Sequence, residues 1–272
     1  MLLVGLNERW KLPVGYCLVD GITGEQRSNF VTQALSLAHG AGAKVVSITC
    51  DGAASNLAML RALGCSLDYT NLKTSFPHPE SAEPVSIFLD ACHMLKLVRN
   101  AFAHLKSFVD EDGHTVSWSY IERLHTVQQK EGLHAANKLQ RAHIHWQRQP
   151  MKVRLAAELL SMSVADAINE CRSMGIAGFE NSAGTERFLR LMNNVFDVLN
   201  SRNMYQKYWK KPLCQENIQD VQTMLRIAST YMSKLRTCES GPLLLHTVRK
   251  TGFLGFLICC QSAIATTCAH NS

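Results

Sequence analysis

Apolar residues in the first third of the chain fall in short runs separated by turn-forming segments, a pattern of strands with connecting helices rather than of a continuous bundle. Leu2 to Leu6 and Val14 to Val19 predict two strands joined by a loop containing Trp10-Lys11-Leu12-Pro13, with a turn over Gly21 to Gly24. From Glu25 to Ala41, the positions of Phe30, Ala34, Leu37, Ala38 and Ala41 keep helical spacing. Gly40 and Gly42 end that helix before the buried strand Lys44 to Thr49. Ser55 to Gly64 predicts a second helix, Tyr69 to Pro84 a polar, proline-bearing loop, and Val85 to Leu89 a further strand.

Beyond Asn100 the spacing becomes helical. Ser119 to Glu131, Leu133 to Trp146, Val153 to Glu170, Thr185 to Leu199 and Glu216 to Arg236 each predict a helix. The apolar, glycine-bearing stretch Pro242 to Ala269, centred on Thr251-Gly252-Phe253-Leu254-Gly255-Phe256-Leu257-Ile258, is expected to return to the first core.

Composition narrows the class. The 46% apolar and 18% charged residues exclude a disordered chain, and a net charge of +6 permits nucleic-acid binding without requiring it. The ten cysteines contain no Cys-x-x-Cys pair, which favours reduced thiols in the cytosol or nucleus over disulfides or zinc. No run reaches the roughly eighteen apolar residues of a membrane span, so no membrane partner is expected.

Two acids follow strand-like runs. Asp51 sits in Cys50-Asp51-Gly52-Ala53-Ala54-Ser55-Asn56 and Asp90 in Asp90-Ala91-Cys92-His93-Met94-Leu95-Lys96-Leu97-Val98-Arg99-Asn100. Neighbouring strands deliver their terminal side chains to one sheet edge, where carboxylates can converge on a divalent metal. Taken singly, each acid also has a structural explanation as a cap of the helix that follows it, with His93, Lys96 and Arg99 then on the exposed side of the second helix. His78, Cys92 and His93 lack zinc-ligand spacing. His143 and His145 are expected at the surface or in loop contacts. No Gly-x-x-x-x-Gly-Lys-Ser/Thr segment occurs, which rules out a P-loop.

The order strand, strand, helix, strand with acids at strand ends resembles an RNase H-like sheet, and particular segments make the resemblance specific. Gly5 to Tyr16, Cys50 to Asn56, Phe76-Pro77-His78-Pro79 and Asp90 to Asn100 resemble transposases of the P-element and THAP-domain type. So do Asn137-Lys138-Leu139, Met151 to Ala156, Ser161 to Ala165 and Phe196 to Ser201, so that the resemblance covers nearly the whole chain.

What the resemblance implies is an α/β RNase H-like partial domain interrupted by a mostly α-helical insertion domain. Residues 1–100 would form the N-terminal RNase H-like part, 101–238 a helical GTP-binding insertion, and 239–272 the start of the return. By the same resemblance, GTP contacts Lys138, Lys152, Val153, Asp197 and Asn200, and organises transposon-end DNA rather than serving as fuel. Chemistry is consistent with this: lysines can face phosphates, while Asp197 and Asn200, three apart on a helix, can read the N1, N2 and O6 edge of guanine. The alternative is that the lysines are solvated and that Asp197 and Asn200 cap a helix end.

Asp51 resembles the middle of three catalytic acids that hold two Mg2+ ions in such enzymes, with Asp90 as the alternative. The other two acids are expected upstream of Met1 and beyond residue 272, and the spacing of a zinc-coordinating DNA-binding module does not occur. The expectation is therefore a fragment of a nuclear transposase, its partners transposon DNA, guanine nucleotide and further copies of itself, inactive in DNA cleavage alone. A domesticated, non-catalytic guanine-nucleotide- or DNA-binding module is the alternative, and whether the chain is an enzyme stays open. A small-molecule α/β enzyme using Asp51 and His93 is a third class, which leaves the helical part unexplained.

Overall fold

The structure is a computed structural model that describes residues 1–272 apart from 7, 9, 17, 19, 133–136 and 270–272. The chain divides into two compact units, Met1–Phe88 and Leu89–Ser272.

In the first unit, β1 (Leu2–Val4) and β2 (Lys11–Pro13) form an antiparallel hairpin with Leu3 opposite Leu12. The second strand thus lies earlier than the expected Val14 to Val19, of which 17 and 19 lie outside the described residues. Gly5 N donates to Trp10 O (3.2 Å), next to the pairing of Val4 with Lys11, and the register thus falls on Lys11 to Pro13. A capping box opens α1 (Gly24–Gly40): Gln26 N donates to Thr23 Oγ1 and Thr23 N to Gln26 Oε1. This helix packs on α2 (Ala54–Ala62), so closely at Gly24 that an added Cβ would lie 2.6 Å from the Ala58 Cβ.

A three-stranded sheet follows the order β3 (Ser47–Cys50), β5 (Pro84–Leu89), β4 (Ser75–Pro77). Its central strand buries Val85, Ile87 and Leu89. The edge strand β4 lies inside the segment expected to be loop. It pairs antiparallel with β5, Phe76 opposite Val85, and three residues that end in a proline are too short for a period-2 pattern to register.

The second unit begins with α3 (Ala91–Leu105), followed by the hairpin β6 (Ser107–Val109) and β7 (Thr115–Ser117), which the sequence pattern did not predict. Its helices are α4 (Ser119–Glu131), α5 (Arg141–Ile144), α6 (Val153–Leu159), α7 (Met162–Ser173), α8 (Ala183–Leu199), α9 (Ile218–Lys234) and α10 (Thr251–Ala269).

Two expected helices are interrupted. Of Leu133 to Trp146, residues 133–136 lie outside the described residues and Asn137 to Gln140 are not helical; buried Asn137 accepts from Leu139 N (2.9 Å), and Gln140 with His143 starts α5 afresh. Val153 to Glu170 breaks at Leu160-Ser161, because Ser161 Oγ accepts from Val164 N (3.4 Å) and so serves as the N-cap of α7.

The core of this unit is an edge-to-face cluster in which Phe102 meets Phe108, Trp118 and Phe188 at centroid distances of 5.2–5.5 Å, and Phe253 meets Phe108 at 6.3 Å. Each ring so buried stabilises the fold by about 1.5–3 kcal/mol. Gly252 and Gly255 let α10 approach α3: an added Cβ would lie 2.7 Å from Val98 N and 2.0 Å from Met94 Sδ. At the start of α3, the Cys259 thiol of α10 donates to Leu89 O (3.1 Å) and accepts from Leu89 N (3.2 Å). Lys96 and Arg99 are buried on α3, contrary to the exposed face expected for them, because α10 and α6 both pack on this helix. Among the described residues no helix is long and apolar enough to cross a membrane.

Candidate nucleotide-binding and metal-binding residues

Asp51 follows the last residue of β3 and is exposed. Its Oδ1 accepts from Ala53 N (2.9 Å) and Asn56 Nδ2 (2.8 Å), and Asn56 Oδ1 accepts in turn from Arg27 Nη1 (3.2 Å). The carboxylate is thus aimed by the turn that starts α2, although Ala53 rather than Asp51 is the N-cap. Burial pushes the neighbouring Cys50 thiol up to about 11, and the negative charge of Asp51 adds to this, so Cys50 is an inert neutral thiol. A hard oxygen donor fits Mg2+, and Asp51 offers one such side chain.

Asp90 lies in the second unit and is the N-cap of α3, accepting from Cys92 N at 3.0 Å. That is the capping role the sequence allowed. A different acidic group, Asp110, Asp112 and His114 on the β6–β7 turn, places its ligand atoms within 4.8 Å of one another. Arg187 already pairs with both carboxylates, and Asp110 Oδ1 accepts from the amides of Asp112 (3.1 Å) and His114 (2.8 Å). A cation there would have to displace the guanidinium.

Lys138 is exposed between buried Asn137 and Leu139. Lys152 is exposed at the N-cap of α6 and Val153 is the first residue of that helix. Buried Arg99 ties down the chain just before them: its Nη2 donates to Pro150 O (3.1 Å) and Gln149 O (3.4 Å), while Nε donates to Asn100 Oδ1 (2.7 Å). Burial draws the Arg99 pKa down to about 10, and Arg99 still carries its charge at neutral pH.

Asp197 sits on the last turn of α8, half-buried, and Asn200 is the C-cap of the same helix. Asn193 Nδ2 donates to Asp197 Oδ2 (2.9 Å), and Lys210 Nζ lies 3.9 Å from the same oxygen. Desolvation raises the Asp197 pKa, opposed by Lys210 and by the Asn193 bond. Asp197 Oδ1 has no hydrogen-bond partner among the described residues. The structure therefore links Asp197 to Asn193 and Lys210; among the described residues no hydrogen bond or ion pair joins it to Lys138, Lys152 or Asn200.

Sequence reasoning missed Asn193 and Lys210. Asn193 has a local signal, standing four residues before Asp197 on one helix face. Its Oδ1 accepts from Met162 N (3.2 Å), which fixes the α7 N-terminus beside α8. His143 is fully buried rather than superficial: Nδ1 accepts from Gln140 N (3.0 Å), Nε2 lies 3.2 Å from Glu158 Oε2, and burial lowers its pKa.

Residues 92–212 match the family "TNP-like, GTP-binding insertion domain", and residues 1–64 match "TNP-like, RNase H N-terminal domain". Lys138, Lys152, Val153, Asp197 and Asn200 fall in the first match and Asp51 in the second. The chain is similar to DNA transposase THAP9 of Homo sapiens, 32% identical over 265 residues, which are 96% of the chain and 29% of that protein. It is also similar to the transposable element P transposase of Drosophila melanogaster, 30% identical over 200 residues, 73% of the chain and 25% of the relative. The chain thus spans less than a third of these curated relatives. Among solved structures it is similar to the Drosophila P element transposase strand transfer complex, with a TM-score of 0.82 and 26% identity, covering 99% of the chain and 58% of that one. The expected fold class, an α/β RNase H-like part with a mostly helical GTP-binding insertion, is borne out.

Proposed function

Because the chain belongs to the P-element and THAP-type family of DNA transposases, we propose that its helical unit binds GTP or GDP through Lys138, Lys152, Val153, Asp197 and Asn200. The observation that carries this reading is the half-buried Asp197 carboxylate, whose Oδ2 is held by Asn193 and whose Oδ1 has no hydrogen-bond partner among the described residues. An ionised carboxylate accepts two parallel N–H bonds from guanine N1 and N2 and finds no such donor pair on adenine. Lys138 and Lys152, exposed and without ion pairs among the described residues, supply phosphate affinity; the Arg99 clamp on Gln149 and Pro150 orders the segment that carries Lys152.

In the complete enzyme, Asp51 would contribute one carboxylate to the Mg2+ ions that support DNA strand cleavage and transfer, acting on transposon DNA in the nucleus. Residues 1–100 and 239–272 would then form one RNase H-like domain around the insertion 101–238; the packing of α3 on α10 supports joining residues 91–100 to the last segment. A second reading, a non-catalytic guanine-nucleotide- or DNA-binding module, is favoured by the use of Asp51 Oδ1 as an acceptor for Ala53 N and Asn56 Nδ2.

Thermal unfolding tests the nucleotide assignment. A ligand at about 100 times its Kd stabilises the folded state by about 2.7 kcal/mol, so GTP or GDP at that excess should raise the melting temperature, and ATP at the same concentration should raise it less. No shift with either guanine nucleotide would refute the reading.

A further inference from the structure

Between α8 and α9 the chain runs Ser201-Arg202-Asn203-Met204-Tyr205-Gln206-Lys207-Tyr208-Trp209-Lys210-Lys211, with four cations, three aromatic rings and no acid before Glu216. Two of those rings are in water: Tyr205 is 94% exposed and Tyr208 88%. Neither makes a ring contact among the described residues. The loop is nonetheless built from defined turns. Asn203 Oδ1 accepts from Tyr205 N (3.0 Å), Asn203 O accepts from Gln206 N (3.1 Å), and Tyr208 O accepts from Lys211 N (3.1 Å). Tyr208 itself takes a φ of +53°, a left-handed conformation that a bulky residue seldom adopts. The fold thus holds two flat faces outward where no chain neighbour uses them.

The charges on the loop are divided. Lys211 pairs with Glu216 at 2.8 Å and Lys210 reaches Asp197 at 3.9 Å. Arg202 and Lys207, both exposed, have no ion pair among the described residues. Exposed cations interleaved with exposed rings complement a chain of phosphates with unstacked bases. In a duplex the base faces are covered by their neighbours, whereas a single strand can lay successive bases on protein aromatics while its backbone follows the positive groove or ridge.

We infer that the loop Ser201 to Lys211 is a docking surface for single-stranded nucleic acid, with bases stacking on Tyr205 and Tyr208 and phosphates meeting Arg202 and Lys207. This rests on the reading of DNA as a partner of the chain and adds to it the surface and the strand form. It does not depend on the guanine site, although Lys210 places the loop at the edge of Asp197.

The test is fluorescence anisotropy of a labelled oligo(dT) of 20 nucleotides with the whole chain and four variants. Stacking losses of the size known for such platforms predict that Tyr205→Ala with Tyr208→Ala raises the Kd at least about tenfold. The paired Tyr205→Phe and Tyr208→Phe variant should retain affinity, because the ring rather than the hydroxyl is used. Arg202→Ala and Lys207→Ala should each flatten the salt dependence, by roughly 0.7 in slope for each phosphate left without its cation. A duplex of the same length should bind more weakly than oligo(dT). Unchanged affinity in the double alanine variant would overturn the inference and assign the rings to a protein contact. Inorganic polyphosphate bound as tightly as oligo(dT) would overturn it too. Oligonucleotide binding that survives the loop variants would spare the DNA reading and sink this surface, whereas a folded chain that binds no DNA at all would sink both.

Discussion

Asn193 donates a 2.9 Å hydrogen bond from Nδ2 to Asp197 Oδ2, one helical turn further along α8, while its own Oδ1 accepts from Met162 N across the interface with α7. Asp197 is therefore oriented from behind by a side chain that is itself fixed. Rigid support of this kind is what a base-reading carboxylate needs, since its geometry must be set before the ligand arrives.

That orientation has an electrostatic cost with a definite sign. Burial raises the Asp197 pKa in the folded state, against the pull of Lys210 and Asn193. A carboxyl whose folded pKa exceeds its unfolded value of about 3.9 contributes stability that is complete below that pH and is lost as pH rises through the folded value. Once pH exceeds the folded value, the ionised carboxylate is a net burden on the fold. Asp197→Asn, which still accepts from Asn193, should unfold at the same or a higher temperature than the parent at pH 7, with the difference vanishing near pH 3. A large drop in melting temperature at pH 7 would show that the carboxylate stabilises the fold.

The capping role of Asp90 is legible in the sequence, because an N-cap depends on the residues immediately after it, and the same holds for the first turn of α1 at Thr23 and Gln26. The candidate residues fall in the matched segments because family patterns preserve local order. Tertiary relationships leave no such trace. Arg99 reads as surface from its helical position, yet α3 is covered by both α6 and α10. Lys210 reaches Asp197 only because the loop after α8 turns back, and β4, β6 and β7 are three residues each, below the length at which alternation can be recognised.

Arg99 is fully buried and donates to three oxygens, those of Asn100, Gln149 and Pro150. Arg99→Ala leaves these acceptors without that donor and opens a cavity, so it should cost about 2–4 kcal/mol. Urea unfolding with an unchanged m-value would measure this; a loss under about 1 kcal/mol would mean that the clamp is dispensable.

Asp110 and Asp112 share Arg187 but not an environment, their side chains being 0% and 53% exposed. Asp110 also holds the β6–β7 turn through the amides of Asp112 and His114. Asp110→Ala should destabilise by about 3 kcal/mol, as expected for breaking a buried, hydrogen-bonded charge, and Asp112→Ala by less than about 1 kcal/mol. Equal losses in the two variants would contradict this division.

Titration calorimetry of GTP and ATP against the chain, Asp197→Ala and Lys152→Ala tests the nucleotide reading most directly. A site that pairs with guanine N1 and N2 loses those bonds with adenine, and the unpaired polar groups add to the penalty. The parent chain should bind GTP more tightly than ATP. Asp197→Ala should lose affinity for GTP alone, and Lys152→Ala for both nucleotides. Equal affinity of the parent for GTP and ATP, or no binding of either by a folded sample, would contradict the assignment.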